Sequence, residues 1–170
     1  MIAERNKLKG FFRVNITEDV NGKQKIVGDS GWKENQVTNL GIQDYLVDAI
    51  LGNAGNKAVT HCALGTGTAP GATATTLDGE NFHRSTNGTT NSRATATTSI
   101  VASKTAQFTA AFLSINSVVT AAVNISNVGL FETTLTSLAT AGTLFAGNNY
   151  TSSSLATNQN VNVTYQIRFT

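Results

Sequence analysis

Val161-Asn-Val-Thr-Tyr-Gln-Ile-Arg-Phe169 alternates apolar and polar residues without a break. Such a period of two belongs to a strand with one face in a core and the other in water. The pattern recurs upstream. Phe12, Val14 and Ile16 share one parity against Arg13, Asn15 and Thr17; Ala94, Ala96, Thr98 and Ile100 share another; Ala106, Phe108, Ala110 and Phe112 follow after a turn at Ala102-Ser-Lys104. Val119, Ala121, Val123 and Ile125 lead towards Val128, Leu130 and Phe131, and Leu144-Phe-Ala146 adds a short strand. Asn21-Gly22, which tolerates positive φ at both positions, closes a hairpin whose second strand runs through Lys25, Ile26 and Val27. Phe108, Phe112, Val123, Ile125, Tyr165 and Ile167 are the expected core.

One segment breaks this rhythm. Across residues 38–51, Ile42, Tyr45, Leu46, Ala49 and Ile50 recur at spacings of three and four, Thr38 or Asn39 can cap the start, and Gly52 supplies a left-handed stop. The spacing predicts a single short α-helix over about residues 39–51, laid on a sheet. Roughly eight strands, one helix and no strand–helix–strand alternation define a mainly β chain. The expected fold is an antiparallel β-sandwich of jelly-roll type, one domain over residues 10–170, preceded by an extended N-terminal arm at 1–9.

Charge is sparse and uneven. Residues 1–57 hold eight Lys/Arg and seven Asp/Glu, leaving only four and three for the rest of the chain. Its last two-thirds must stay wet through Thr, Ser and Asn or be covered by partners. A net charge of +2 gives no basic face, so nucleic acid is not an expected partner. No window approaches the ~20 apolar residues of a membrane span, and no apolar segment of signal-peptide length follows Met1. The expected site of synthesis is a cytoplasm.

Reactive groups are few. His61 and Cys62 are adjacent in a strand, so their side chains point to opposite faces and share neither an ion nor a proton; His83 has no evident partner. Gly65-Thr-Gly-Thr68 follows a strand but lacks the Lys-Ser/Thr ending and the helix of a phosphate loop. Asp44 and Asp48 lie on the outer helix face, where solvated charges are the plain reading. Trp32, Tyr45, Tyr150 and Tyr165 are scattered rather than gathered into a platform for a sugar. No catalytic residue, cofactor or metal is expected. The remaining candidates are contacts to other subunits: Arg5, Lys7 and Lys9 in the arm, and the charged island Asp78, Glu80 and Arg84.

Val37-Thr-Asn-Leu-Gly-Ile42, Ala63-Leu-Gly-Thr-Gly-Thr68, Leu77-Asp-Gly-Glu80 with Arg84, Asn127-Val-Gly-Leu-Phe-Glu132, Leu144-Phe-Ala146 and Thr164-Tyr-Gln-Ile-Arg-Phe169 occur in that order. Over about residues 35–170 this order resembles small virion proteins of tailed bacteriophages. The resemblance implies a β-sandwich without active site or cofactor that coats a capsid or builds a tail. The first expectation is a capsid decoration, or cement, protein on the outside of the virion. It would be a homotrimer at local threefold positions of the lattice, with the major capsid protein and itself as partners. A tail or fibre-base protein of the same fold and a carbohydrate-binding receptor module are the alternatives.

Overall fold

The computed structural model describes residues 7–53, 57–81, 93–116, 118–133 and 142–170. Strands β1 (Leu8–Val20), β2 (Lys23–Asp29) and β3 (Lys33–Val37) precede the helix, and β4 (His61–Gly65), β5 (Glu80–Asn81), β6 (Ala94–Thr95) and β7 (Thr97–Ala102) follow it. β8 (Thr105–Phe112), β9 (Val123–Phe131), β10 (Leu144–Leu155) and β11 (Gln159–Phe169) complete the set. The mainly β, antiparallel architecture expected from the sequence is the one observed.

The strands lie in the order β5-β4-β9-β10-β3-β1-β11-β8-β7, with β2 beside β1 and β6 beside β4. Two strands change partner and so turn the corners between the layers. β3 pairs β1 through Lys33–Asn35 and β10 through Gln36 and Val37. β6 pairs β4, and beyond Ala96 the same run pairs β8 as β7. The sheet therefore comes almost full circle, a barrel-like sandwich whose corners are strands that switch layers.

β1 and β11 pair from Leu8↔Phe169 to Glu18↔Gln159 without a register shift. Because β8 lies on the far side of β11, apolar side chains line up in rows across three strands: Phe12, Tyr165 and Phe108; Val14, Val163 and Ala110; Ile16, Val161 and Phe112. The Phe12 ring stacks on Tyr165 at 5.9 Å and meets Tyr150 edge-on at 6.1 Å. Of the expected core, Phe112, Ile125, Tyr165 and Ile167 are buried, whereas Phe108 and Val123 are only partly so. Val123 opens β9, and Phe108 lies in mid-strand, where it lines a cleft beside the helix.

The structure departs from the sequence reading in three places, at the arm, in β10 and in the helix. β1 begins at Leu8, and Lys7 exchanges backbone hydrogen bonds with Thr170, so residues 7–9 belong to the sheet and not to a free arm. The expected hairpin is present, with Asn21 and Gly22 at φ 56° and 76° and β2 solvated on both faces. β10 runs on through a polar stretch to Leu155, shifting register between Asn149 and Ser153, so the apolar signal marked only its buried start.

The helix is mostly a π-helix, Gly41–Val47, that continues as α1 (Asp48–Leu51) and stops at Gly52. Thr38 is its fastening. Its buried hydroxyl accepts from the Gly41 amide at 2.9 Å and donates to the Leu144 carbonyl at 2.6 Å. Gly41 packs so closely on β10 that a Cβ there would lie 2.1 Å from the Phe145 carbonyl oxygen. Only Tyr45 among the helix's large apolar side chains is buried, against Phe145 at 4.9 Å.

Phe112, 1% exposed, sits where β8, β11 and β1 meet. Phe112→Ala should lower unfolding free energy by about 3–5 kcal/mol in denaturant titration; a loss below about 1 kcal/mol would place the ring outside the core.

Candidate functional site

Charged and hydroxyl groups converge at three places: around β5, at the helix foot, and on the outer face of β8 and β11. The structure places Asp78 and Glu80 in the first, Asp78 exposed and the Glu80 side chain buried, each with a partner inside the protein. Glu80 is buried. Its carboxylate takes both Nε and Nη2 of Arg93, at 2.8 and 3.0 Å, with both side chains only 1% exposed. The guanidinium lies 3.3 Å from the centroid of the Phe131 ring and donates to the Thr133 carbonyl. A buried charge is tolerated where its partner and hydrogen bonds are complete, and here they are. Glu80 thus has an internal partner that leaves it nothing to offer another subunit, which corrects its reading as a contact residue.

Asp78 is exposed and also occupied. One carboxylate oxygen accepts from the Thr68 amide at 2.8 Å and its hydroxyl at 2.9 Å, bonds that hold the carboxyl below its ordinary value. Behind it the buried Asn127 side chain donates to the Thr68 and Asp78 carbonyls. The Gly65-Thr-Gly-Thr68 loop is therefore a clamp on the Asp78 turn, with its amides used inside the protein. Lys9 pairs Glu34 across the surface at 3.4 Å, and Lys7 is exposed. Arg5, Arg84 and His83 lie outside the described residues.

The second place could be mistaken for acid–base machinery. Tyr45 Oη lies 2.5 Å from both Glu132 Oε2 and the Thr143 carbonyl. Glu132 also accepts from the Thr143 amide at 2.9 Å, and Lys57 Nζ stands 3.6 Å from Glu132 and 2.8 Å from Asp44. Burial alone would raise the Glu132 carboxyl. The Tyr45 hydroxyl and Thr143 amide outweigh burial, with Lys57 adding to them, and hold it below the ordinary carboxylate value. A base for work near neutrality needs the opposite shift. Burial first, then Glu132, pushes the Tyr45 hydroxyl far up, so it stays a donor. The arrangement ties the helix to the β9–β10 end. Asp44, read from the sequence as solvated, is one of its ends.

Against this fastening opens an apolar cleft of about 180 Å³, lined by Leu46, Val59, Phe108, Phe145, Ile167 and Phe169, with Lys57 at one side. On the outer wall a polar groove of about 650 Å³ runs past Thr97, Thr109, Asn116, Asn162 and Thr164 to Arg93. Its described lining carries hydroxyls and amides but no aromatic ring for a sugar to stack on. The largest exposed aromatic is Trp32, with the Arg168 guanidinium 6.0 Å from its ring and 4.4 Å from that of Phe11.

His61 and Cys62 occupy opposite faces of β4. His61 is half-exposed beside the Thr60 hydroxyl, and Cys62 is 1% exposed, its thiol pushed far up by burial. Among the described residues no group of three His, Cys, Asp or Glu could hold a metal, and no helix is long and apolar enough to cross a membrane. Sequence reasoning missed Arg93, Lys57 and Glu132. Glu132 had a signal, as the lone acid of its half beyond Glu80; Arg93 and Lys57 had none.

Comparison with known protein families, curated proteins and solved structures finds no match.

Carboxylates held low in the folded state stabilise it above their unfolded values, and that contribution drains away as pH falls through the folded ones. Glu132 is held below its ordinary value, and Asp29, bonded first by Arg13 and then by the Gly31 amide, is lowered to about 2. The melting temperature should be level just above pH 4.5 and fall as pH is taken towards 2, and Glu132→Gln should flatten the upper part of that fall. Thermal denaturation across this range checks it; a flat profile would rule out these carboxylates as fastenings.

Proposed function

We propose that this chain is a non-enzymatic structural protein of a virion, a decoration protein that binds the outer surface of an assembled capsid lattice. One observation on the folded chain carries the reading beyond its sequence resemblance. Among the described residues four large exposed apolar side chains fall on the helix, Ile42 and Val47 each 42% exposed, Leu51 66% and Ile50 84%, and others lie on the β1–β2 hairpin and on β7. A surface of that kind is usually a contact. The described charged groups of the helix and of β5 meanwhile hold the protein's own elements together.

The phrases that carry the resemblance fall mostly on neighbouring strands, β4, β9 and β10, and on the clamp beside them. They describe how a core is fastened, so they support a fold first and a place in the particle second. On a lattice, weak contacts of one small protein repeat with the symmetry and add up. A cement protein needs such a surface and no chemistry.

Electron microscopy and quantitative mass spectrometry of the particle that encodes this chain provide the test. Many copies spread over the shell are expected, with the helix Gly41–Leu51 at or near the contact. A handful of copies at one vertex would assign the chain to the tail or fibre base instead, and its absence from purified particles would overturn the virion reading.

A further inference from the structure

The ring of strands leaves two long open edges, and they are built differently. Among the described strands β2 pairs only β1, and it is solvated along its length, but it carries Lys23, Lys25 and Asp29. Charges on an exposed edge discourage another strand from adding to it. β7 stands last in the strand order, and among the described strands it pairs only β8.

Every residue of β7 is exposed, Ile100 at 84% and Val101 at 48%. Residues 94–103 hold no charge and no proline, and the pairing of β7 with β8 is regular from Thr97 to Ile100. Thr97-Thr-Ser-Ile-Val101 is rich in β-branched residues, which favour strand pairing. Among the described residues no strand other than β8 pairs with its backbone, which leaves its outer amides and carbonyls open to a partner. Such an edge in a monomer is an aggregation hazard unless something covers it.

We propose that β7 is covered by β7 of a second copy of this chain, added antiparallel about a twofold axis, so that the two sheets run on through the interface. Charge selects this occupant. A neutral strand offers no attraction to an acidic or a basic segment, whereas its own copy meets it without a like-charge pair and matches it in length. With the axis at Ser99, Thr98 faces the second copy's Ile100 and Thr97 faces its Val101, cross-strand pairs of β-branched side chains that favour association. Ile100, on the face shared with Ala106 but beyond the cover of the opposite layer, then gains a neighbour. The contact is twofold, so it differs from the threefold one expected of a decoration trimer, and it stands whether or not the chain belongs to a virion.

Sedimentation of the purified full-length chain over a range of concentrations is the experiment. A reversible dimer is expected. Ile100→Lys, which sets two ammonium groups near one axis, should cut the sedimenting mass about twofold at concentrations where the native chain is dimeric. Its circular dichroism should be unchanged because the side chain is already in solvent. Val27→Lys on the guarded β2 edge should leave the mass of the native chain. A native chain that stays monomeric at every concentration, or an oligomer whose mass Ile100→Lys does not alter, would overturn the proposal.

Discussion

A β-sheet is stable only when its edge donors and acceptors find partners, and this chain meets the requirement chiefly by letting one run of residues serve two layers. Residues 94–102 pair β4 as β6, bend at Ala96, whose amide still bonds the Thr60 carbonyl at 2.8 Å, and pair β8 as β7. The bend brings the two ends of the strand order together. Closure then encloses a core of small and branched side chains around six aromatic rings, Phe12, Tyr45, Phe112, Phe145, Tyr150 and Tyr165. It also dictates where the unsatisfied backbone is left, since the run passes the end of β4 before β7 is finished.

Closure explains the buried ion pair too. Arg93 immediately precedes β6 and Glu80 opens β5, and both strands lie against β4. Two short strands have few ladder bonds to hold them, and the bidentate bond across them supplies what their length cannot. Losing either partner would strand the other in a site 1% exposed, which costs about 3–5 kcal/mol. The helix is held by the same logic at the other margin, where Thr38, Tyr45 and Lys57 reach β10 and Glu132. Charges that a sequence presents as a candidate contact or site are in both places spent on fastening.

What was legible in the sequence was local. Alternation in β1, β8 and β11 revealed both the strands and their buried faces, because these strands have one wet side along their whole length. Asn21-Gly22 and Gly52 revealed a hairpin and a helix stop because they set φ directly. Alternation failed in β10, where Gly147 to Ser154 is nearly all polar and the strand is held by pairing with β9 rather than by burial. It failed for the π-helical geometry, which follows from the approach of Gly41 to the Phe145 backbone, 104 residues away in a different element. The partner of Glu80 was illegible for the same reason: the nearest arginine in sequence was the natural choice, and only the β4 register brings Arg93 to it.

A core closed in this way leaves an unusual exterior. With only four basic and three acidic residues beyond position 57, and Glu80, Arg93 and Glu132 committed inward, the walls away from β1–β3 offer hydroxyls, amides and a few large apolar groups. Such a wall exerts little long-range electrostatic pull, so partners cannot be steered to it from a distance. Recognition has to come from shape and from desolvation of side chains such as Ile50 and Ile100, both 84% exposed. Contacts of that kind are individually small. They become strong when many identical copies are held in register, since each added neighbour then binds at a high effective concentration. Short-range fit and desolvation, and not charge, are therefore what the part of this surface beyond position 57 has to offer a neighbour.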